Sequence, residues 1–282
     1  MSVPPWLSDL FWTYQNVVVS LGVNGLLALS MYVVLAAGQL SLGQAAFMGL
    51  GAYASALLTL RLHAPFWAVL PAAMLVPVAF ALLVGGPTLR LAGVYLAIAT
   101  IGLGEVLRAV YLNVDALGGA LGLSGIPEAA PLWLIYALLA AALLVFWRIG
   151  RSRVGRAMEA MRSDETAALA MGVNVRRYRL ATLVASAALA GLAGALSAHS
   201  TDFIGPNDYG FEPAVSILSF ALLGGIGSPI APVVGAVVLT LLPELMRGFA
   251  ELRLILNGVV IVLAVLFLPR GLVAWRMRRR AA

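Results

Sequence analysis

"RSRVGRAMEAMRSDETAALAMGVNVRRYR", from Arg151 to Arg179, interrupts an otherwise apolar chain near its middle. It holds seven arginines and three acids. An arginine at the centre of a membrane-spanning helix costs about 2.5–3.5 kcal/mol on an insertion scale. Seven would overwhelm any apolar helix, so this stretch lies in water. Its surroundings do not. Of the 282 residues, 62% are hydrophobic and only 11% charged, which leaves too little polar surface for a soluble domain.

A helix needs about 20 apolar residues to cross the hydrocarbon core. Measured that way, spans are expected at 17–37, 45–60, 66–85, 91–112 and 131–149 before the arginine-rich stretch. After it they fall at 180–199, 213–223, 229–246 and 254–268. The run 213–223 is short for a crossing and reads as a half-helix or re-entrant element. The expected fold is all-α, a polytopic transmembrane helical bundle of about 8–10 spans with broken or re-entrant elements. It forms one domain over residues 1–282, with a cytoplasmic loop at 150–179 and a basic cytoplasmic tail at 270–282.

Orientation follows from the arginines. Eight lie between Arg148 and Arg179 and five more from Arg270 to Arg280. Four expected crossings separate the clusters, so both fall on one side, which the positive-inside tendency makes the cytoplasm. Five crossings precede the first cluster and put the N-terminus outside. Arg90 is then inside, Arg61, Arg247 and Arg253 are outside, and Arg108 sits near the outer end of its span, a ratio of 14 to 4. The N-terminus lacks the basic region of a signal peptide, so no cleavage is expected.

Composition also excludes chemistry. All eighteen basic residues are arginine, and a P-loop needs its lysine, so the chain carries none. There is no cysteine for a thiolate metal site, and His63 and His199 are far apart in sequence. No metal, cofactor or catalytic group is expected. The net charge of +6 sits at loop ends beside apolar spans, which topology explains and nucleic acid does not.

Within the opening stretch, residues 154–162 contain good helix formers and no proline. Ser163 is suited to N-cap a second turn, with Asp164 and Glu165 where the helix dipole favours acids. Gly172 suits a stop. Two short helices joined near Ser163 are expected, with Met158, Met161, Ala168, Leu169 and Met171 as their apolar residues. Such a face either docks into a groove on a soluble partner or lies along the lipid headgroups.

"GRAMEAMRSDETAALAMGVNVRRYRLATLVASAALAGLAGAL" resembles the cytoplasmic loop and following span of permeases of the branched-chain amino acid ABC transporter family, LivM-type. "GQLSLGQAAFMGLGAYASALL", "GVYLAIATIGLGEVLRAV", "GLSGIP", "LGGIGSPIAPVVGAVVL" and "FLPRGL" agree with it, in the family's order and over nearly the whole chain. The resemblance implies a permease subunit of an importer in the bacterial inner membrane. Its partners would be a homologous second permease or a second copy, two ATP-binding subunits and an extracytoplasmic solute-binding protein. Branched-chain amino acids are the implied solutes, with urea and amides served by other members. The family's ATPase-coupling segment, resembling the EAA loop of ABC importers, maps onto 155–172. One glycine of that pattern is displaced here. The implied coupling residues are Gly155, Arg156, Glu159, Asp164, Glu165, Ala168 and Gly172.

"GQLSLGQAAFMGLGAY" combines Gly38, Gly43, Gly49 and Gly51 with Gln39, Ser41 and Gln44. It reads either as a broken helix lining a solute path through Ser41 or Gln44, or as a turn followed by a small-residue face, the reading for Gly49 and Gly51. "GGIGSPIAPVVGA" is a second break or a tight inter-helix turn. Ser186, Ala190, Gly194 and Ala198, with Ala187, Gly191 and Ala195, mark a packing face. Glu105 with Arg108, and Glu244 with Arg247, are spaced to pair near the outer interface, and His199 is expected at that interface. An ion-coupled secondary transporter is the alternative class, and it would need intramembrane acids as relays.

Overall fold

The computed structural model describes residues 5–88, 90–91, 93–245 and 258. Ten α-helices follow in order: α1 Pro5–Ala36, α2 Gln44–Leu62, α3 Phe66–Thr88, α4 Val94–Asn113, α5 Leu132–Arg151, α6 Arg153–Ser163, α7 Glu165–Ala170, α8 Val175–Thr201, α9 Phe211–Gly224 and α10 Ile230–Leu245. Among the described residues the only sheet is a two-residue antiparallel pair, β1 Leu123–Ser124 with β2 Phe203–Ile204. The fold is the expected all-α polytopic bundle.

Six helices, α1 to α5 and α8, are long and apolar enough to cross a membrane, and α9 and α10 are shorter apolar helices. Eight of the nine expected spans thus coincide with helices. The ninth, at 254–268, and the tail at 270–282 lie outside the described residues. With 14 residues at a rise of 1.5 Å each, α9 is about 21 Å long, less than the roughly 30 Å of a hydrocarbon core. Two expected boundaries moved. Helix α5 continues through Arg148 to Arg151, and α8 starts at Val175, ahead of Arg176, Arg177 and Arg179. Hydropathy marks where lipid ends, whereas backbone hydrogen bonding carries a helix on into water.

The turns separate into two ends. At one end Gly38, in the α1–α2 break, backs directly onto the Arg162 backbone of α6. Arg162 in turn donates to the Ile226 carbonyl in the α9–α10 turn, 3.3 Å away. At the other end β1 pairs with β2, and Arg61 after the middle of α2 donates to the Ala116 carbonyl. His199 Nδ1 lies 3.0 Å from the Pro127 carbonyl. This is the alternation that the crossing count requires. His199 itself departs from the interfacial expectation. It is fully buried, edge-on to Phe66, because α8 runs on to Thr201 and the 114–131 loop folds over it.

Helices α1 and α8 are the most enclosed and α5 the least. Small residues put α8 at the centre. A side chain at Gly191 would strike the Ala73 carbonyl and Pro77 of α3, and one at Gly194 would strike the Met48 carbonyl of α2. From the other side, Gly51 of α2 rests on the Gly191 backbone. The small-residue face read from the sequence is therefore an internal seam. Lipid tails are as apolar as leucine, so close backbone approach and dispersion hold such a seam together. Gly51→Ala is expected to lower stability by about 1–3 kcal/mol, because the clash is with backbone. Gly86→Ala, where nothing lies within 4 Å, should leave it unchanged. Thermal unfolding of the two variants in detergent measures the contrast.

Candidate coupling segment and solute path

Between α5 and α8 the chain builds two short helices from local signals. Ser152 caps α6, its hydroxyl accepting from the Val154 N–H at 3.1 Å. Gly155 faces the Gly150 backbone so closely that a side chain would collide with it, which fixes a glycine at the α5–α6 bend. Asp164, not Ser163, caps α7. Its Oδ1 accepts from the Thr166 N–H at 2.9 Å, the Ala167 N–H at 3.1 Å and the Thr166 hydroxyl at 2.6 Å. Ser163 is still helical as the last residue of α6, while Asp164 has the extended backbone a cap requires. The Thr166 hydroxyl, and then the Ala167 N–H, hold the Asp164 carboxyl below its ordinary range. Gly172 follows α7 in the left-handed region at φ +82°, the expected stop.

The apolar residues of this pair do not form one face. Met158, Met161 and Ala168 are buried within the chain, and Met161 and Ala168 pack with Val175 at the start of α8. Leu169 and Met171 point outward, 54% and 84% exposed. Of the coupling residues implied by the resemblance, Arg156, Glu159 and Asp164 are exposed. Glu165 is half-buried and pairs with Arg179 of α8 at 2.6 Å. Ala168 seats α7 against its own chain, so its surface toward a partner is small.

The pair is tied to three parts of the bundle: to α8 through Glu165 and the Met161–Ala168–Val175 cluster, to the α1–α2 break through Gly38, and to the α9–α10 turn through Arg162. A cleft of about 280 Å³, lined by Tyr32, Arg151, Glu159 and Arg162 among others, lies where α1, α5, α6 and that turn meet.

The α1–α2 break is buried in protein. Gln39 Nε2 donates to the Thr182 hydroxyl at 2.7 Å and to the Arg179 carbonyl at 3.1 Å. The Leu42 N–H donates to the Thr100 hydroxyl of α4 at 2.9 Å. Ser41 accepts from the Gly43 N–H, and Gln44 Nε2 donates to Ser186, which also meets Ser30 of α1. Ser41 and Gln44 are each about 1% exposed. Gln44 bridges α2 to α8, Ser41 makes a local bond within the break, and both are enclosed by protein.

The open polar space lies at the opposite end. A cleft of about 760 Å³ between α1, α9 and α10 is lined by Asn16, Ser20 and Asn24 from α1, Glu212, Ser216 and Ser219 from α9, and Thr240 and Glu244 from α10. Asn24 Nδ2 donates to the Thr240 hydroxyl at 2.9 Å across the seam. Sequence reading missed this site. Its signal was the four-residue spacing of Asn16, Ser20 and Asn24 on one face of an apolar helix. At its rim Glu105 pairs with Arg108 at 2.9 Å and accepts from the Phe211 N–H at 2.9 Å, while Arg108 donates to Asn207. Glu105 and Arg108 thus pair as expected and also clamp α4 to the start of α9. Arg247, the expected partner of Glu244, lies outside the described residues.

A bundle of apolar helices long enough to cross a membrane, with a helical pair gripping its turns at one end and a polar cleft at the other, is the build of a multi-pass membrane protein. The family described as branched-chain amino acid transport system / permease component matches residues 13–265. The high-affinity branched-chain amino acid transport system permease protein LivM of Escherichia coli (strain K12) is 35% identical over 92% of this chain and 68% of its own length. The LivH permease protein of the same system and organism is 31% identical over 51% of this chain and 46% of its own. The ribose import permease protein RbsC of Escherichia coli (strain K12) is 27% identical over 92% and 87%. No solved structure matches. The chain belongs to the branched-chain amino acid transport permease family and is of the LivM type.

The Asp164 cap gives a pH test. A carboxyl titrating below its unfolded value contributes stability that is complete above the ordinary carboxylate range and is lost as pH falls through the lowered value. Amide exchange over 165–170 should therefore speed up on acidification relative to Asp164→Asn, whose cap does not titrate. Asp164→Ala should show the fast exchange at neutral pH.

Proposed function

We propose that this chain is the permease subunit of an ABC importer that moves branched-chain or related small amino acids across the bacterial inner membrane. It performs no bond chemistry. ATP is hydrolysed by two separate subunits that dock on α6 and α7 at the cytoplasmic face, the face on which the C-terminus also lies. A homologous second permease or a second copy completes the pore, and an extracytoplasmic binding protein delivers solute to the opposite end. The arginine excess supports this orientation.

The single observation that carries the reading is the three-way attachment of the α6–α7 pair. A short helix held only by its own termini would yield when pushed. This one is clipped to α8 by an ion pair and an apolar cluster, and it touches the α1–α2 break and the α9–α10 turn. Closure of the ATPases would move all three together. Leu169 and Met171 near α7, and the exposed Arg156 and Glu159 of α6, are the residues offered to the partner. The ion-coupled alternative is less well supported, since Glu105 is engaged by Arg108 and by the N-terminus of α9.

Leu169→Asp with Met171→Asp is expected to cut solute-stimulated ATP hydrolysis by about tenfold or more, since buried interface anchors cost about 2 kcal/mol or more when lost. Unfolding of the membrane bundle should be unchanged. Reconstitution with both ATPases, the second permease and the binding protein measures this. Uptake by the lone chain without ATP would overturn the reading.

A further inference from the structure

The smaller cleft, about 280 Å³, lies at the arginine-rich end of the bundle, where α1, α5, α6 and the α9–α10 turn meet. Its charged lining is Arg151 at the end of α5 with Glu159 and Arg162 of α6, two cations to one anion. Arg151 sits over the Trp147 ring, 3.8 Å from its centroid. A cation–π contact draws on the charge and spends none of the guanidinium's N–H donors. Arg162 commits one nitrogen, Nη1, to the Ile226 carbonyl at 3.3 Å. The outer wall of the cleft belongs to α5, the least enclosed of the six long apolar helices. Trp133, Ala137, Ala140, Leu144, Trp147 and Arg151 recur at the three- and four-residue spacing of one helix face, and all are exposed. That apolar stripe runs along α5 and ends on the cleft, with a tryptophan, a residue of the headgroup level, beside the arginine.

We infer that this cleft holds the headgroup of an anionic glycerophospholipid, its phosphate on Arg151 and Arg162 and an acyl chain along the exposed stripe of α5. The inference goes beyond the importer reading and does not rest on it, since it needs only a bundle embedded in a membrane. Charge selects the ligand. The lining carries one cation in excess, which a single phosphodiester matches, and arginine forks suit phosphate oxygens. Phosphatidylcholine and phosphatidylethanolamine are neutral overall and leave that cation unmatched. Glu159 selects further, because a carboxylate accepts hydrogen bonds and repels added negative charge. The headgroup hydroxyls of phosphatidylglycerol satisfy it, whereas phosphatidic acid brings more charge and no hydroxyl arm. Size agrees. The cleft falls just short of the roughly 300 Å³ at which sites for drug-sized molecules begin, so it admits a headgroup and leaves the chains outside. A headgroup held there bridges α5, α6 and the α9–α10 turn.

The test is native mass spectrometry of the full chain, released from micelles that hold phosphatidylglycerol and phosphatidylcholine in equal amounts. The unaltered chain should retain phosphatidylglycerol in preference to phosphatidylcholine. Arg151→Gln should weaken that retention about fivefold. Gly227→Asp sets a carboxylate into the cleft at a position where a Cβ meets nothing within 4 Å, so it should weaken retention as much with the fold intact. Arg153→Gln, at an exposed arginine outside the cleft lining, should change nothing. Glu159→Gln should raise retention of phosphatidic acid, which the carboxylate otherwise repels. In nanodiscs, thermal unfolding should move upward with the phosphatidylglycerol fraction, and less so in Arg151→Gln than in Arg153→Gln. No retained lipid, equal retention of the two lipids, equal losses in Arg151→Gln and Arg153→Gln, or unchanged retention in both cleft variants overturns the inference. Displacement of the lipid by glycerol phosphate, the headgroup without its chains, also overturns it, since the cleft would then serve a soluble phosphate ester.

Discussion

Backbone meets backbone where α2 and α3 cross α8, and the rest of the molecule is arranged around that contact. Gly191 and Gly194 let two helices approach a third closer than any side chain permits. In hydrocarbon there is no hydrophobic drive to bring helices together, so this close approach has to supply cohesion through dispersion. It also makes α8 stiff relative to its neighbours. The helix whose cytoplasmic start carries Arg179 and Val175 is the same helix whose middle is locked to α2 and α3. A force on the water-exposed pair enters the bundle through its most tightly held element.

The α1–α2 break obeys a second constraint. Irregular backbone inside a membrane protein is tolerated only where protein or water satisfies it. Thr100 accepts from the Leu42 N–H and Thr182 from the Gln39 amide, and Ser30, Ser186 and Gln44 join three helices just beside it. Gln44, a channel residue by type, is enclosed as part of this network, and Ser41 lies enclosed beside it. Polar residues in an apolar sequence mark a place where something must be hydrogen-bonded. Whether that something is solute or neighbouring helix depends on which faces meet, and only the tertiary structure gives that.

Much of the fold was legible because it follows from one-dimensional physics. Apolar length located eight helices, arginine placement sorted the turns into two ends, and the small-residue spacing of Ser186 to Ala198 foretold a seam. Local capping was nearly legible: Gly172 stops α7 as expected, but the cap moved from Ser163 to Asp164, since the choice between adjacent capping residues depends on where α6 ends. The apolar surface of the α6–α7 pair was not separable into inner and outer parts. Met161 and Met171 look alike in sequence, and only the position of Val175 decides which is covered. The polar cleft was hidden for the same reason. Asn16, Ser20 and Asn24 share a face of α1, but Ser216 and Thr240 reach it from helices about two hundred residues away.

The two ends of the molecule are joined through α9 and α10. Gly224 of α9 abuts the Ala231 carbonyl of α10, and Gly235 of α10 abuts the Phe220 carbonyl of α9. Backbone contact in both directions makes the hairpin a single piece. Its turn is held by Arg162 of α6, and its far portion supplies two walls of the polar cleft, the third being α1. Between this hairpin and α1, the Asn24–Thr240 hydrogen bond spans the seam.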